Sequence, residues 1–520
     1  MWFKKRHKKQ KLLDFLEFTF LDELQHVPIS KSLEENKKFL KELFHDCSDF
    51  VMTEFEIEQS VSAFACYIDG MIDSKLADQA LKGLIIQEGK AKEIDNIQRR
   101  TLSTPQVQKQ KYYGEFLRFV LSGDMGIIVD QNDTALLLGI RGMESRSIAE
   151  PETESVIRGP KEGFVENIRI NTSLVRRKIK TPHLKMKSYT IGRHTNTDVV
   201  ITYIDGIADP SLIEEIEKRL KKINIDGVLE GGYIEEYIQD NRWSPFPQLK
   251  YTERPDTVAG ALLEGRAAII VDGSPFAIIA PTVFWQLLQA SEDYYERFHI
   301  STLIRWLRFT FLVLSLVMPA FYIAVTTFHQ ELIPTTLLLS IAASREAIPF
   351  PAVIEALIME ITFEALREAG VRLPKAVGQA VSILGALVVG TAAVDAGIVS
   401  APMVIVVSVT GIASFTIPSF NGAIALRMLR FPIMIIASMF GIYGILICLL
   451  LILGHLAGLR SFGVPYLVPV APLKLVDLKD TYVRAPWPMM SPRPQIMHVQ
   501  DSKRQTYGQN RSEEDDREPE

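Results

Sequence analysis

A single block of this chain decides what it can fold into. Between positions 301 and 473, 16 of 173 residues are charged, whereas the other 347 residues carry 103 charges. A threefold fall in charge density over one contiguous stretch excludes an ordinary soluble globule and a disordered chain. Inside the block, residues 309–330 contain no charge over 22 positions, 376–394 none over 19, 396–426 none over 31 and 431–459 none over 29. About 20 apolar helical residues cross the hydrocarbon of a bilayer. The block therefore reads as a multi-pass membrane domain with spans near 309–328, 376–394, 399–418 and 431–456. Arg305 and Arg308 precede the first span and mark its entry side as cytoplasmic.

Residues 331–375 fit no span. Pro334, Pro349 and Pro351 interrupt them, and Glu346, Glu355, Glu360 and Glu364 add charge. Irregular backbone at membrane depth is tolerated only inside protein or beside water. The stretch 331–367 thus reads as re-entrant or interfacial helices. Glu360, Glu364 and Glu368 recur every fourth residue and share one helix face. Ionised carboxylates there must meet water or a cation such as Arg345, Arg367 or Arg372. An ion-pair network and an ion-pathway vestibule fit equally. The span 376–394 is lined by small residues and by Gln379 and Ser382. Small side chains permit close helix packing; the second reading is a pore-lining face carrying Gln379, Ser382 and Gly390 and closed by Asp395, whose carboxylate would attract cations.

The remainder looks soluble. Residues 1–30 form a basic tail whose early acidic residues exclude a secretory signal. Residues 31–298 alternate strand-like and helical periods, an α/β pattern. They also repeat. Tyr67-Ile68-Asp69-Gly70 is echoed by Tyr203-Ile204-Asp205-Gly206, and the run from Leu121 to Asp130 by the run from Leu263 to Asp272. Two related subdomains follow, at 31–145 and 160–298, joined by a Glu-, Ser-, Pro- and Gly-rich linker. In each echo the Asp reads as a cap for the next helix and the Gly as a positive-φ turn residue; the alternative is a ligand pocket between the halves lined by Asp69 and Asp205. Residues 166–180 form a helix with a basic face, read as solvated or as a contact surface. Residues 474–520 read as a polar C-terminal tail.

Three cysteines make no disulfide scaffold or zinc site. A net charge of −5 gives no case for nucleic-acid binding. No nucleophile elbow, Walker loop or zinc-protease motif is present, so the chain is not read as an enzyme and no cofactor or metal is expected.

Several longer strings are specific. Thr-Glu-Arg-Pro-Asp at 252–256, Ile-Ile-Val-Asp-Gly-Ser-Pro-Phe at 269–276, Glu-Asp-Tyr-Tyr-Glu-Arg-Phe at 292–298, Ser-Ile-Ala-Ala-Ser-Arg-Glu at 340–346, Leu-Arg-Glu-Ala-Gly-Val-Arg-Leu-Pro at 366–374 and Ser-Phe-Gly-Val-Pro-Tyr-Leu at 461–467 resemble the A-subunit family of spore nutrient germinant receptors. The resemblance implies a multi-pass protein of the spore inner membrane with its N-terminal domain in the cytoplasm. It implies a complex with a transporter-like B subunit and a lipoprotein C subunit. It also implies a homo-oligomer, as a pentamer, forming a nutrient-gated channel for monovalent cations among the membrane lipids. A secondary transporter and a non-conducting scaffold are the alternatives.

Overall fold

The computed structural model describes residues 12, 21–57, 61–86, 107–142, 150–374, 377–378, 385, 388–497 and 499–504. The chain divides into two compact units. The first holds the described residues up to Gln239 with 251–281 and 491–504; the second holds 240–250 and 282–490.

The first unit contains two five-stranded sheets of the same plan. In the first half, helix α1 (Leu33–Leu43) precedes the antiparallel pair β1 (Phe50–Ile57) and β2 (Val61–Ile68). Helix α2 (Ser74–Ile86), strand β3 (Val107–Gln110), helix α3 (Tyr113–Val120), and strands β4 (Met125–Val129) and β5 (Ala135–Leu138) follow. The sheet order is β1-β2-β4-β5-β3. Strand side chains alternate between faces, and here both faces are covered. Phe64, Cys66, Ile68, Ile128, Ala135 and Leu137 pack with Phe39 and Leu40 of α1 and Phe116 and Leu117 of α3. Their neighbours Ala63, Ala65, Ile127, Val129, Leu136 and Leu138 pack with Ala77, Ala80 and Leu84 of α2. Burial on both faces is why β4 reads as a continuous apolar run.

The second half repeats this with α4 (Ile168–Lys178), β6 (Leu184–Ile191), β7 (Thr197–Ile204), α5 (Pro210–Lys221), α6 (Gly231–Ile238), β8 (Lys250–Thr252), α7 (Pro255–Leu263), β9 (Ala267–Val271) and β10 (Ala277–Ala280). Its order is β6-β7-β9-β10-β8. The correspondence extends to single side chains. Buried Asn36 accepts from the Ser30 N–H at 2.9 Å and donates to the Ser30 carbonyl at 2.6 Å; Asn171 does the same with Val165 at 2.8 and 2.5 Å. Asp130 accepts from the Leu33 N–H at the start of α1, and Asp272 from the Ile168 N–H at the start of α4. Gly70 and Gly206 share a φ of +79°, a conformation that Gly adopts without strain.

The helix caps fall elsewhere than the sequence suggested. Asp73 Oδ1 accepts from Lys75 and Leu76, and Asp209 Oδ1 from Ser211. A turn intervenes after each Gly, so the later aspartate of each echo sits at the N-cap.

The halves are fused. Ser48 N–H donates to Met186 O, and Met186 N–H to Asp46 O, joining the loop before β1 to the edge strand β6. Arg176 of α4, fully buried, forms two hydrogen bonds with Asp49, at 2.7 and 2.8 Å. The basic face of 166–180 is thus buried at Arg176. The linker, where described, is held by Arg254, which donates to the carbonyls of Glu154 at 3.2 Å and Pro160 at 2.8 Å.

The second unit is helical. It contains α8 (Phe298–Thr327), α9 (Thr335–Arg345), α10 (Ala352–Arg372), a π-helical turn (Val388–Ala392) running into Ala393–Asp395, α11 (Ala401–Phe415) and α12 (Phe420–Gly458), and the short pair β11 (Arg460–Ser461) and β12 (Val464–Pro465). Among the described residues α8 and α12 are the two helices long and apolar enough to cross a membrane. Helix α12 is kinked at Gly441, with φ 60° and ψ −141°. The span expected over 399–418 is the shorter α11, bounded by Ser400 and Thr416; its 15 residues rise about 22 Å against the ~30 Å of bilayer hydrocarbon. Of the expected span 376–394, positions 376, 379–384 and 386–387 lie outside the described residues. So do 1–11 and 13–20 of the basic tail.

Large apolar side chains of these helices point outward: Leu303 and Phe321 on α8, Ile405 and Ile412 on α11, Met439, Tyr443 and Leu450 on α12. The inner faces build one core, with Ala320, Ile323, Ala356, Met403, Met434 and Ala437 at its centre. Where it is described, at 474–497 and 499–504, the stretch read as a polar tail is folded. Asp480 is bonded to Arg305, and Arg484 is buried beside Tyr294.

Candidate functional site in the helical unit

Helix α10 begins after Pro351 and carries four glutamates along an otherwise apolar sequence. In low dielectric a lone carboxylate is strongly disfavoured unless paired and hydrogen-bonded. The fold supplies a cation for each. Glu355, fully buried, takes Arg345 Nε at 3.2 Å and accepts from the Ser400 N–H at 3.0 Å and the Ser400 hydroxyl at 2.8 Å. Glu360, fully buried, accepts from Arg430 Nη1 at 2.5 Å. Glu364 accepts from Arg367 at 2.7 Å and from Arg427 at 3.2 Å. Glu368 is exposed and pairs with Arg372. Glu346, the C-cap of α9, is exposed.

Arg430 is the hub. Its Nη1 holds Glu360 of α10, and its Nε donates to the Ser315 carbonyl of α8 at 2.7 Å, so one guanidinium on α12 links three helices. Its planar fork suits two acceptors at once. The network is not saturated: Glu360 Oε1, Glu364 Oε1, Arg367 Nε and Arg430 Nη2 are buried with no protein partner. Such atoms mark a place where polar rearrangement is available.

Sequence spacing points to Arg345, Arg367 and Arg372 as partners and does not bring in Arg427 and Arg430. The signal was present. Arg427 and Arg430 are the only charges between 396 and 459; at spacing i, i+3 they share a face, as Glu360 and Glu364 do at i, i+4. Arg305 and Arg308, read as flanking cations, are buried at the start of α8 on Asp293, with Arg308 bonded at 2.8 Å and Arg305 at 3.2 Å.

The remaining candidates stand apart from this network. Asp395 is exposed at the end of the turn Ala393–Asp395, and no lysine or arginine among the described residues pairs with it. A side chain added at Gly390 would meet open space. Gln379 and Ser382 lie outside the described residues. In the first unit, Asp69 is 3.5 Å from Arg169 of α4, and Asp205 accepts from the Gly206 N–H. A cavity of about 270 Å³ in the first half is lined by Gln108, Phe119, Asp124, Leu137, Gly139 and Arg141, with neither aspartate in its wall.

A family model described as Bacillus/Clostridium GerA spore germination protein matches residues 38–496. The chain belongs to the GerA family. The match runs from α1 through both sheets and every helix of the charge network. Among GerA-like relatives, the uncharacterized membrane protein YfkQ of Bacillus subtilis (strain 168) is 54% identical, over 91% of this chain and 93% of its own. Spore germination protein KA of the same organism is 46% identical, over 92% and 89%. The crystal structure of the N-terminal domain of the A subunit of the Bacillus megaterium spore germinant receptor GerK3 is similar at 37% identity, covering 49% of this chain and 97% of that domain, with a TM-score of 0.40.

Proposed function

We propose that this chain is the A subunit of a spore germinant receptor. Its helical unit lies in the spore inner membrane, with copies of the chain assembling into a nutrient-gated path for monovalent cations. A B subunit and a lipoprotein C subunit complete the receptor. The family match supports the germination role, and the outward apolar faces of α8, α11 and α12 support the membrane.

The observation that carries the channel reading is the contrast between Asp395 and the glutamates of α10. Each α10 glutamate has an arginine, whereas Asp395, five residues after open Gly390 in the charge-poor block, has none among the described residues. A carboxylate in that setting needs water or a passing cation, and a ring of such groups attracts cations. The Arg430 junction is the element that a nutrient signal would bias between two helix arrangements.

The test is cation release from nutrient-triggered spores carrying Asp395→Asn. The expected result is slower release at normal protein level. Unchanged release and germination would remove Asp395 from the path and, with it, the argument for conduction by this subunit.

A further inference from the structure

The two halves of the first unit differ in how one cleft is closed. In the first half the chain closes it locally. Just beyond β5, the Gly142 N–H donates to the Met71 carbonyl at 3.2 Å, and a Cβ on Gly123 would stand 3.6 Å from Arg141 Cγ. By the repeat, Met71 corresponds to Ile207 and Gly123 to Gly265. Gly123 and Gly265 both have positive φ, +102° and +85°. In the second half the chain leaves β10 at Ala280 and enters the helical unit, so it supplies no such local closure.

The same positions are filled from the far end of the chain. The Gln500 N–H donates to the Ile207 carbonyl at 3.1 Å. A Cβ on Gly265 would come within 2.3 Å of Val499 Cγ1, so the valine sits directly on the glycine. The filling segment is itself closed: Arg493 N–H donates to Ser502 O at 2.9 Å and Arg504 N–H to Ser491 O at 2.8 Å. Buried Arg493 donates to the Leu263 carbonyl at 2.9 Å and to the Asp501 carboxylate at 2.5 Å. Arg504 reaches Glu264 at 3.0 Å.

We infer that residues 491–497 and 499–504 form a docking strap. They occupy, on the second half, the cleft that the first half fills with 140–142, and they tie the chain emerging from the helices to that half. The same carbonyl acceptor and the same positive-φ glycine receive a filler in both halves, one local and one remote. A consequence follows for topology. The chain departs the α/β unit at Pro281 and rejoins it at Ser491, so 282–490 crosses a bilayer an even number of times. That consequence rests on the membrane reading proposed above; the docking does not.

The experiment uses the full chain with Glu264→Cys and Arg504→Cys, against a background of three buried native cysteines. A short bis-thiol crosslinker should give an intrachain link detected by peptide mass spectrometry. Adding Val499→Asp should lower its yield at least tenfold. In a second arm, a chain ending at Met490 should bind a labelled 491–504 peptide at least tenfold more tightly than the full chain does, and a Val499→Asp peptide should not bind. A third arm places single cysteines at Asp69→Cys and Arg504→Cys in sealed vesicles; both should label from one side with an impermeant maleimide. Absence of the intrachain link overturns the strap even if the shortened chain fails to fold, as does labelling from opposite sides. A chain that forms the link but does not enter vesicles retains the strap and overturns the membrane reading alone.

Discussion

Replacing Glu360 by Met leaves the buried guanidinium of Arg430 with the Ser315 carbonyl at 2.7 Å and without the carboxylate at 2.5 Å. Two unit charges about 4 Å apart interact by about 4 kcal/mol at an effective dielectric near 20. Removing one partner of a buried pair typically costs about 3–5 kcal/mol, because the other charge stays behind unpaired. Replacing both by apolar residues of similar size is far gentler, since no charge is left to desolvate. The expected pattern is therefore strongly non-additive. Glu360→Met and Arg430→Met should each lower stability by about 3–5 kcal/mol, and the double Glu360→Met/Arg430→Met variant by about 1 kcal/mol or less. The assay is reversible unfolding of the full chain in mixed micelles, with the four species compared as a double-mutant cycle. If both single variants fall within about 0.5 kcal/mol of the parent, or if the double variant loses the sum of the singles, the Arg430 hub does not hold the three helices and the reasoning fails.

The same logic applies to the joint of the α/β unit. Arg176→Met should strand buried Asp49 and weaken the joint by about 3–5 kcal/mol, read as faster hydrogen exchange at the amides of Ser48 and Met186, which carry the backbone bonds across it. Glu235 gives a pH signature. Burial in α6 pushes its carboxyl up to about 7 from an ordinary 4.5, against a hydrogen bond from the Tyr251 hydroxyl. The folded state thus holds a proton that the unfolded chain releases earlier. Its stabilising contribution is full below about pH 4.5 and lost as pH rises through about 7, on the order of 3 kcal/mol. Denaturant unfolding across that window should show the decline, and Glu235→Gln should flatten it.

Much of the architecture was legible in the residues. Local periodicity announces helices and strands, and a repeat in the sequence announces a repeat in the fold. The apolar run from Met125 to Val129 and its counterpart from Ala267 to Val271 read as buried strands because a strand covered on both faces has no polar side to show. The charge-poor block, the apolar helices within it and the shared face of Glu360 and Glu364 likewise follow from spacing along one element. What needed tertiary structure is whatever depends on partners far apart in sequence. The cap aspartate of each echo was placed by how many residues the turn consumes. Asp49 meets Arg176, Glu360 meets Arg430, and Ile207 meets Gln500. Each pairing joins elements whose approach is set by packing of the whole unit, and a charge or a carbonyl carries no record in its own neighbourhood of which distant group will satisfy it. Local sequence determined which groups would need partners; only the folded chain decided which partners they received, because desolvation of a buried polar group is a property of the whole core around it.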